Sequence, residues 1–166
     1  SILSVTDESL TTKQGLTNLS GKSVKLSESS EILFTIGALC NNAHLKKNAI
    51  IGDPTEASLL TSAQKVGLEY HDLQTEYPRE KEFAFSSERK LMSTVHRDGG
   101  SYLVAVKGAP DVVLAHATHV LINGKKLPLT QERREQLTKI NSEFATEALR
   151  VLAFAMKEVK SVPKSV

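Results

Sequence analysis

The chain has 166 residues, 40 % of them hydrophobic and 24 % charged, which is the size and balance of one globular domain with a packed core. With 21 basic and 19 acidic residues the net charge is +2, so the uniform basic field of nucleic-acid binders is absent and any anion must be met locally. The single cysteine, Cys40, excludes a disulfide framework and a four-thiolate zinc site and fits a reducing cytosol; no apolar run approaches the ~20 residues that span a bilayer, and no signal-peptide pattern opens the chain, so it reads as soluble.

The first 30 residues, rich in Ser, Thr, Lys and Gly, read as a lead-in with one or two irregular strands. Ser29 or Ser30 is placed to cap a helix with Ile32, Leu33, Ile36, Leu39 and Cys40 on one face, ending near Asn41 and Asn42. A second helix has a fuller start signal: Asp53 as cap, Pro54 at the first helical position and Glu56 three residues after the cap, with Ala57, Leu60 and Val66 continuing it. Residues 80–85 and 91–96 read as strands, and Asp98-Gly99-Gly100 turns into a third over 102–106, giving an antiparallel meander. Pro110 and Asp111 open a short helix through Leu114. Asn123-Gly124 joins residues 120–122 and 125–127 as a hairpin. Thr130 caps a long helix with Leu137, Ile140, Phe144 and Ala148 along one side, residues 150–156 form a closing strand, and a polar tail follows. Helices and hairpins interleave without repeated strand-helix-strand units. The expected class is therefore α+β, an antiparallel β-sheet flanked by helix pairs, in a single domain over residues 1–166.

Several motifs fail on spacing. Gly21-Lys22-Ser23 has Leu16 where a phosphate loop needs glycine, so a polar turn is expected, and no glycine triplet has dinucleotide-binding spacing. His116 and His119 lie three apart, close enough to share a helix face, but lack a third ligand at metal spacing, and no metal site is assigned. Cys40 falls on an apolar helix face and reads as core. Asn18-Leu19-Ser20 matches a glycosylation acceptor that a cytosolic protein never has read. The charged run over 79–82 reads as a solvated strand edge.

Three segments remain: Gly52-Asp53-Pro54-Thr55-Glu56-Ala57-Ser58-Leu59, Phe85-Ser86-Ser87-Glu88-Arg89-Lys90-Leu91-Met92-Ser93 and Lys107-Gly108-Ala109-Pro110-Asp111. They resemble the acidic helix start, the Phe-to-Lys turn and the Lys-Gly-Ala-Pro loop of the nucleotide-binding domain of type II P-type cation-transporting ATPases. Leu39-Cys40-Asn41-Asn42-Ala43 and Arg150-Val151-Leu152-Ala153-Phe154-Ala155 are similar to that domain's first helix and last strand. Each segment is short, but five in the family's order cover almost the whole chain.

The chemistry is coherent beside the resemblance. ATP presents a flat adenine and a chain of negative charges, so a site without a phosphate loop must supply an aromatic face, a carboxylate for the adenine edge and several cations. Phe85, Glu56, Lys90, Lys107 and Arg150 are such a set. Phe85 stands out in a chain without Trp and with 5 % aromatic residues. By resemblance, its ring stacks on adenine, Glu56 accepts a hydrogen bond from the adenine amino group directly or through water, and Lys90 and Lys107 edge the base or meet phosphates. Gly108 gives close approach, and Arg150 grips phosphate oxygens bidentately. Each has an ordinary reading too. Phe85 and Phe83 alternate onto one face and fit a core, Glu56 fits a helix cap, the lysines fit a solvated surface as they leave strands for loops, and Arg150 fits a helix C-terminus. Calcium-pump relatives often carry a basic residue where this chain has Ser87, leaving Arg89 as the neighbouring candidate to compensate, and Asp111 replaces the commoner Glu.

The resemblance is closest in pattern to calcium-pump-like members. It implies an ATP-binding part of an ATP-driven cation transporter, calcium favoured, at the cytosolic face of a membrane. Its partners are ATP and the phosphorylation and actuator domains of the same parent chain, with Mg²⁺ arriving through the nucleotide and the phosphorylation domain. The phosphorylated Asp lies in an Asp-Lys-Thr-Gly-Thr segment that is not in this sequence, so no catalytic residue is assigned here. The chain then reads as an excised domain that binds ATP weakly and forms no aspartyl-phosphate. A dissociation constant of about 1 mM corresponds to roughly −4 kcal/mol. Two other classes stay open. One is a non-catalytic interaction module whose basic loops meet an acidic protein. The other is a self-sufficient enzyme, which needs a nucleophile or metal cluster that the sequence does not display.

Overall fold

Among residues 3–5, 16–18, 23–46 and 49–165, which the computed structural model describes, the elements divide between two units, Ser1–Pro78 and Arg79–Val166. The first opens with three short antiparallel strands, β1 (Leu3–Val5), β2 (Leu16–Asn18) and β3 (Ser23–Val24), in that order. The polar turn expected at Gly21-Lys22 and the Leu19-Ser20 part of the acceptor triplet lie outside the described residues.

Helix α1 (Glu28–Leu39) starts earlier than expected, because Ser27 is its cap and accepts the Ser30 N–H at 3.2 Å. That start brings both Glu28 and Glu31 into the first turn, where the helix dipole favours carboxylates. Burial concentrates at its far end, in Ile36, Ala38, Leu39 and Cys40, whereas Leu33 is 48 % exposed. Periodicity sets the direction of an apolar stripe but not how far along it a neighbour reaches. Helix α2 (Pro54–Lys65) follows its start signal: Asp53 Oδ1 accepts the N–H groups of Thr55 at 2.8 Å and Glu56 at 3.3 Å.

Three elements of this unit lie outside the sequence expectations. The antiparallel pair β4 (His44–Lys46) and β5 (Ala49–Ile51) precedes α2, and α3 (Tyr70–Glu76) follows it. Helix α3 has no side-chain cap at Glu69 and one buried residue, Leu73, so it carries neither a start signal nor a stripe. Helix α1 packs on α2 and α3 around Ile36, Leu39, Cys40, Leu60, Ala63 and Leu73.

The second unit is built on β6 (Arg79–Ser86), β7 (Leu91–Asp98) and β8 (Ser101–Gly108), the expected meander. Then come α4 (Pro110–His116), the hairpin β9 (His119–Ile122) and β10 (Lys125–Pro128), α5 (Gln131–Thr146) and β11 (Ala153–Val159). Strand β11 returns beside β8, so the antiparallel sheet reads β11-β8-β7-β6. Residues 92–96 of β7 are all buried, as befits an inner strand, and His96 Nε2 lies 2.8 Å from Thr94 Oγ1. The β6 edge is charged, with ion pairs Arg79–Glu82 at 3.3 Å and Arg97–Glu80, the solvated edge expected over 79–82. Helix α4 packs on β8 and β11, and α5 packs on α4. The architecture is α+β, an antiparallel sheet with flanking helices.

The Asn123-Gly124 turn has positive φ at both positions, 50° and 74°, as a two-residue hairpin turn requires. Thr130 caps α5 by accepting the Arg133 N–H at 3.3 Å. The far end of α5 departs from expectation. Ile140 is 43 % exposed, and Ala148 has left the helix with φ 56°. The N–H groups of Ala148 and Leu149 reach back to the Ala145 and Phe144 carbonyls at 3.1 Å each, which closes the helix, so the last strand starts at Ala153 rather than at residue 150. His116 ends α4 and His119 starts β9, so they share no helix face. Among the described residues, no helix is long and apolar enough to cross a membrane.

Candidate functional site

Strand register draws one line across the end of the four-stranded sheet. Ser86 pairs with Leu91, Leu91 with Gly108, and Gly108 with Ala153. The row is about 14 Å long, three interstrand spacings. Phe85, Lys90 and Lys107 each stand one residue from it, Gly108 stands on it, and Arg150 precedes Ala153 by three residues. Five of the six candidate residues thus lie at or near one sheet end, Phe85 in β6, Lys90 in the β6–β7 turn, Lys107 and Gly108 in β8 and Arg150 in the α5–β11 connection. Glu56 belongs to the other unit.

Phe85 is 59 % exposed, which removes its reading as a core residue. The β6–β7 pairing passes from Phe83↔Ser93 to Ser86↔Leu91, three steps on β6 against two on β7, so β6 carries one extra residue between them. Strict alternation does not hold through that bulge, and the two rings have different surroundings. Phe83 is half-buried under the Lys81 ammonium, 4.6 Å from its centroid. The turn after β6 is held by Arg89. Its Nη2 donates to the carbonyls of Ala84 at 2.6 Å and Phe83 at 3.2 Å, with Leu91 O at 3.5 Å on the margin, while its N–H donates to Ser86 Oγ at 3.2 Å. Arg89 therefore folds back onto the backbone of β6.

Lys90 is exposed and left-handed, with φ 53°, a conformation costing a non-glycine residue roughly 1–2 kcal/mol. Two hydrogen bonds hold it there. Its N–H donates to Ser86 O at 2.7 Å, and its carbonyl accepts the Ala109 N–H at 3.1 Å. The second bond ties the β6–β7 turn to the loop after β8. Gly108 explains the closeness: a Cβ there would overlap Lys90 O and Leu91 Cδ2, so the chain itself, with no ligand present, requires glycine.

Lys107 differs from its expected place on a loop. It is 8 % exposed and paired within β8 to Met92 on one side and Phe154 on the other, because the ladder to β11 continues through Gly108. Arg150 is exposed in the connection between α5 and β11, four residues past Thr146. A cation that far out is beyond the last turn, where the helix dipole acts, so that reading of Arg150 loses its ground.

In the first unit, Glu56 Oε2 accepts the Asn42 N–H at 3.1 Å, and its backbone carbonyl accepts Asn41 Nδ2 at 2.9 Å. Asn41 is fully buried. It also donates to Gly37 O at 3.2 Å and accepts the Ala43 N–H at 2.8 Å, knotting the end of α1 to the start of α2. Gly52, with φ 146°, lets the chain pass where a Cβ would lie 2.7 Å from Ala43 Cα. The sequence displayed Asn41 only as part of a similar segment; an Asn at a helix end has many uses, and this one depends on α2.

Among the described residues, no cluster of three or more His, Cys, Asp or Glu side chains is placed to hold a metal ion. What the sheet end offers is an exposed aromatic ring, an exposed lysine and arginine, and a buried lysine on a tied backbone.

Residues 29–165 match the family described as P-type ATPase, cytoplasmic domain N. The chain is 40 % identical over 130 residues to Calcium-transporting ATPase 1 of Lactococcus lactis subsp. lactis (strain IL1403), covering 78 % of this chain and 15 % of that protein. It is 31 % identical over 156 residues to a calcium-transporting ATPase of Bacillus subtilis (strain 168), covering 89 % and 17 %. It is 37 % identical over 123 residues to calcium-transporting ATPase type 2C member 1 of Homo sapiens, covering 72 % and 13 %. The chain thus spans about one-seventh of the length of these relatives.

Proposed function

The chain belongs to the P-type ATPase cytoplasmic domain N family, and from that premise we propose that residues 1–166 act as one ATP-binding domain of an ATP-driven cation transporter. The observation that carries this reading is the row Ser86-Leu91-Gly108-Ala153, which gathers Phe85, Lys90, Lys107, Gly108 and Arg150 at one sheet end. Phe85 offers its exposed face to adenine. Lys90 and Arg150 meet phosphate oxygens, Arg150 through its planar fork, and Lys107 adds positive charge from within β8. Glycine at 108 keeps the two loops close enough to form one wall.

On this reading the domain holds ATP by its base and leaves the γ-phosphate for an Asp on the phosphorylation domain of the parent chain. The Asp carboxylate oxygen forms the new bond to phosphorus as the bond to ADP breaks, and hinge closure brings the two together. Mg²⁺ would be held by the nucleotide and the phosphorylation domain rather than by residues of this chain, and would supply neutralisation of phosphate charge there. The parent chain would sit in a membrane with this domain on the cytosolic face. The relatives' names point to calcium as the cation moved.

A two-dimensional NMR titration of this chain with ATP tests the reading, with Phe85→Ala and Arg150→Ala beside it, both positions being exposed so that the fold is retained. Saturable shifts should cluster on Phe85, Lys90, Lys107 and Arg150. Phe85→Ala should weaken binding about 5- to 150-fold, the equivalent of roughly 1–3 kcal/mol of stacking. A folded spectrum without saturable shifts would sink the ATP-binding reading and leave an interaction module.

A further inference from the structure

The β6–β7 turn contains a charged group that the nucleotide reading leaves unused. We propose that Arg89 is a positioning residue: its guanidinium, bonded to the carbonyls of Phe83 and Ala84, holds the β6 bulge that presents the Phe85 ring to the base. The inference rests on the ATP-binding reading and deepens it.

The extra residue of the bulge falls between Phe83 and Ser86, the stretch that contains Ala84 and Phe85. A bulge takes carbonyls out of the ladder, and a carbonyl without a partner favours a return to regular pairing. Arg89 supplies partners at that place, through Nη2 to Ala84 O at 2.6 Å and Phe83 O at 3.2 Å. Its own backbone is fixed by the N–H to Ser86 Oγ bond of 3.2 Å, and the next residue donates its N–H to Ser86 O at 2.7 Å, so turn and bulge brace each other. Regularising the strand by one residue would shift the alternation of everything beyond the bulge, because side chains change face with each residue. The 59 % exposure of Phe85 is then a property of the bulge rather than of the ring. A lysine has the charge but not the planar, multi-donor head that holds this geometry.

The test compares ATP with inorganic tripolyphosphate, which has the charge but no base, on the wild-type chain, Phe85→Ala, Arg89→Gln and the double variant, by NMR titration. Arg89→Gln should weaken ATP about tenfold and tripolyphosphate less than about twofold, and the double variant should bind ATP no more weakly than Phe85→Ala alone. The upfield ring-current shift of the adenine protons on binding should shrink with it. Equal weakening of ATP and tripolyphosphate would make Arg89 a phosphate ligand and overturn positioning. Wild-type affinity in Arg89→Gln, with Phe85→Ala still impaired, would overturn it and leave the ATP reading intact. No ATP binding by the wild type would remove both. Should Arg89→Gln fail to fold, Arg89→Lys enters the same comparison: loss of the base-dependent part despite retained charge supports positioning, and wild-type ATP affinity overturns it.

Discussion

Gly108 shows how a residue's role depends on what fills the space beside it. The Lys-Gly-Ala-Pro segment suggested a glycine kept small for a nucleotide, yet Lys90 O and Leu91 Cδ2 already occupy the place of a Cβ. Gly108→Ala should therefore destabilise the chain with no ligand present, by about 1–3 kcal/mol as overpacking does, read as a lower denaturant midpoint at unchanged m-value. A mutant as stable as the wild type would return the glycine to a purely ligand-facing role. Phe85 and Lys107 make the same point in opposite directions. The ring that fitted a core is exposed, and the lysine that fitted an open loop is buried in β8. Residue type announced the available chemistry, whereas exposure depended on the surroundings, a strand end beside a bulge in one case and the ladder to β11 in the other.

Element starts were more legible than element ends. Asp53 and Thr130 cap the helices they were expected to cap, and Asn123-Gly124 turns its hairpin, because each signal is a contact between residues two or three apart. The uncapped helix α3 gave no such signal. The end of α5 was misread because its left-handed residue is Ala148, where glycine is the usual marker. An alanine there carries a Cβ penalty, so Ala148→Gly should stabilise the chain by about 1 kcal/mol, seen as a higher melting temperature. No change, or a lower melting temperature, would mean that the helix closes in some other way. This connection sets where Arg150 emerges, so the end of α5 also bears on the proposed site.

For the whole molecule, the five similar segments appear in the family's order, and residues 29–165 match that family. On the proposed reading these segments supply nucleotide binding, and the Asp that takes the phosphate belongs to another domain of the parent chain. The chain incubated with γ-labelled ATP and Mg²⁺ should accordingly retain no acid-stable, hydroxylamine-sensitive label while still showing ATP-induced NMR shifts; a stable acyl-phosphate would mean that it holds a nucleophile of its own. The sequence by itself determined the secondary-structure class, most helix starts and hairpins, and the inventory of ring, carboxylate and cations, since caps, turns and alternation are written in neighbouring residues. Only the tertiary structure decided that Phe85 is exposed, that Lys107 is buried, that Arg89 turns back onto its own strand and that Lys90 O fills the space beside Gly108. Register and burial join residues far apart in the chain, as the row from Ser86 to Ala153 does, and no local pattern encodes which distant backbone will lie alongside.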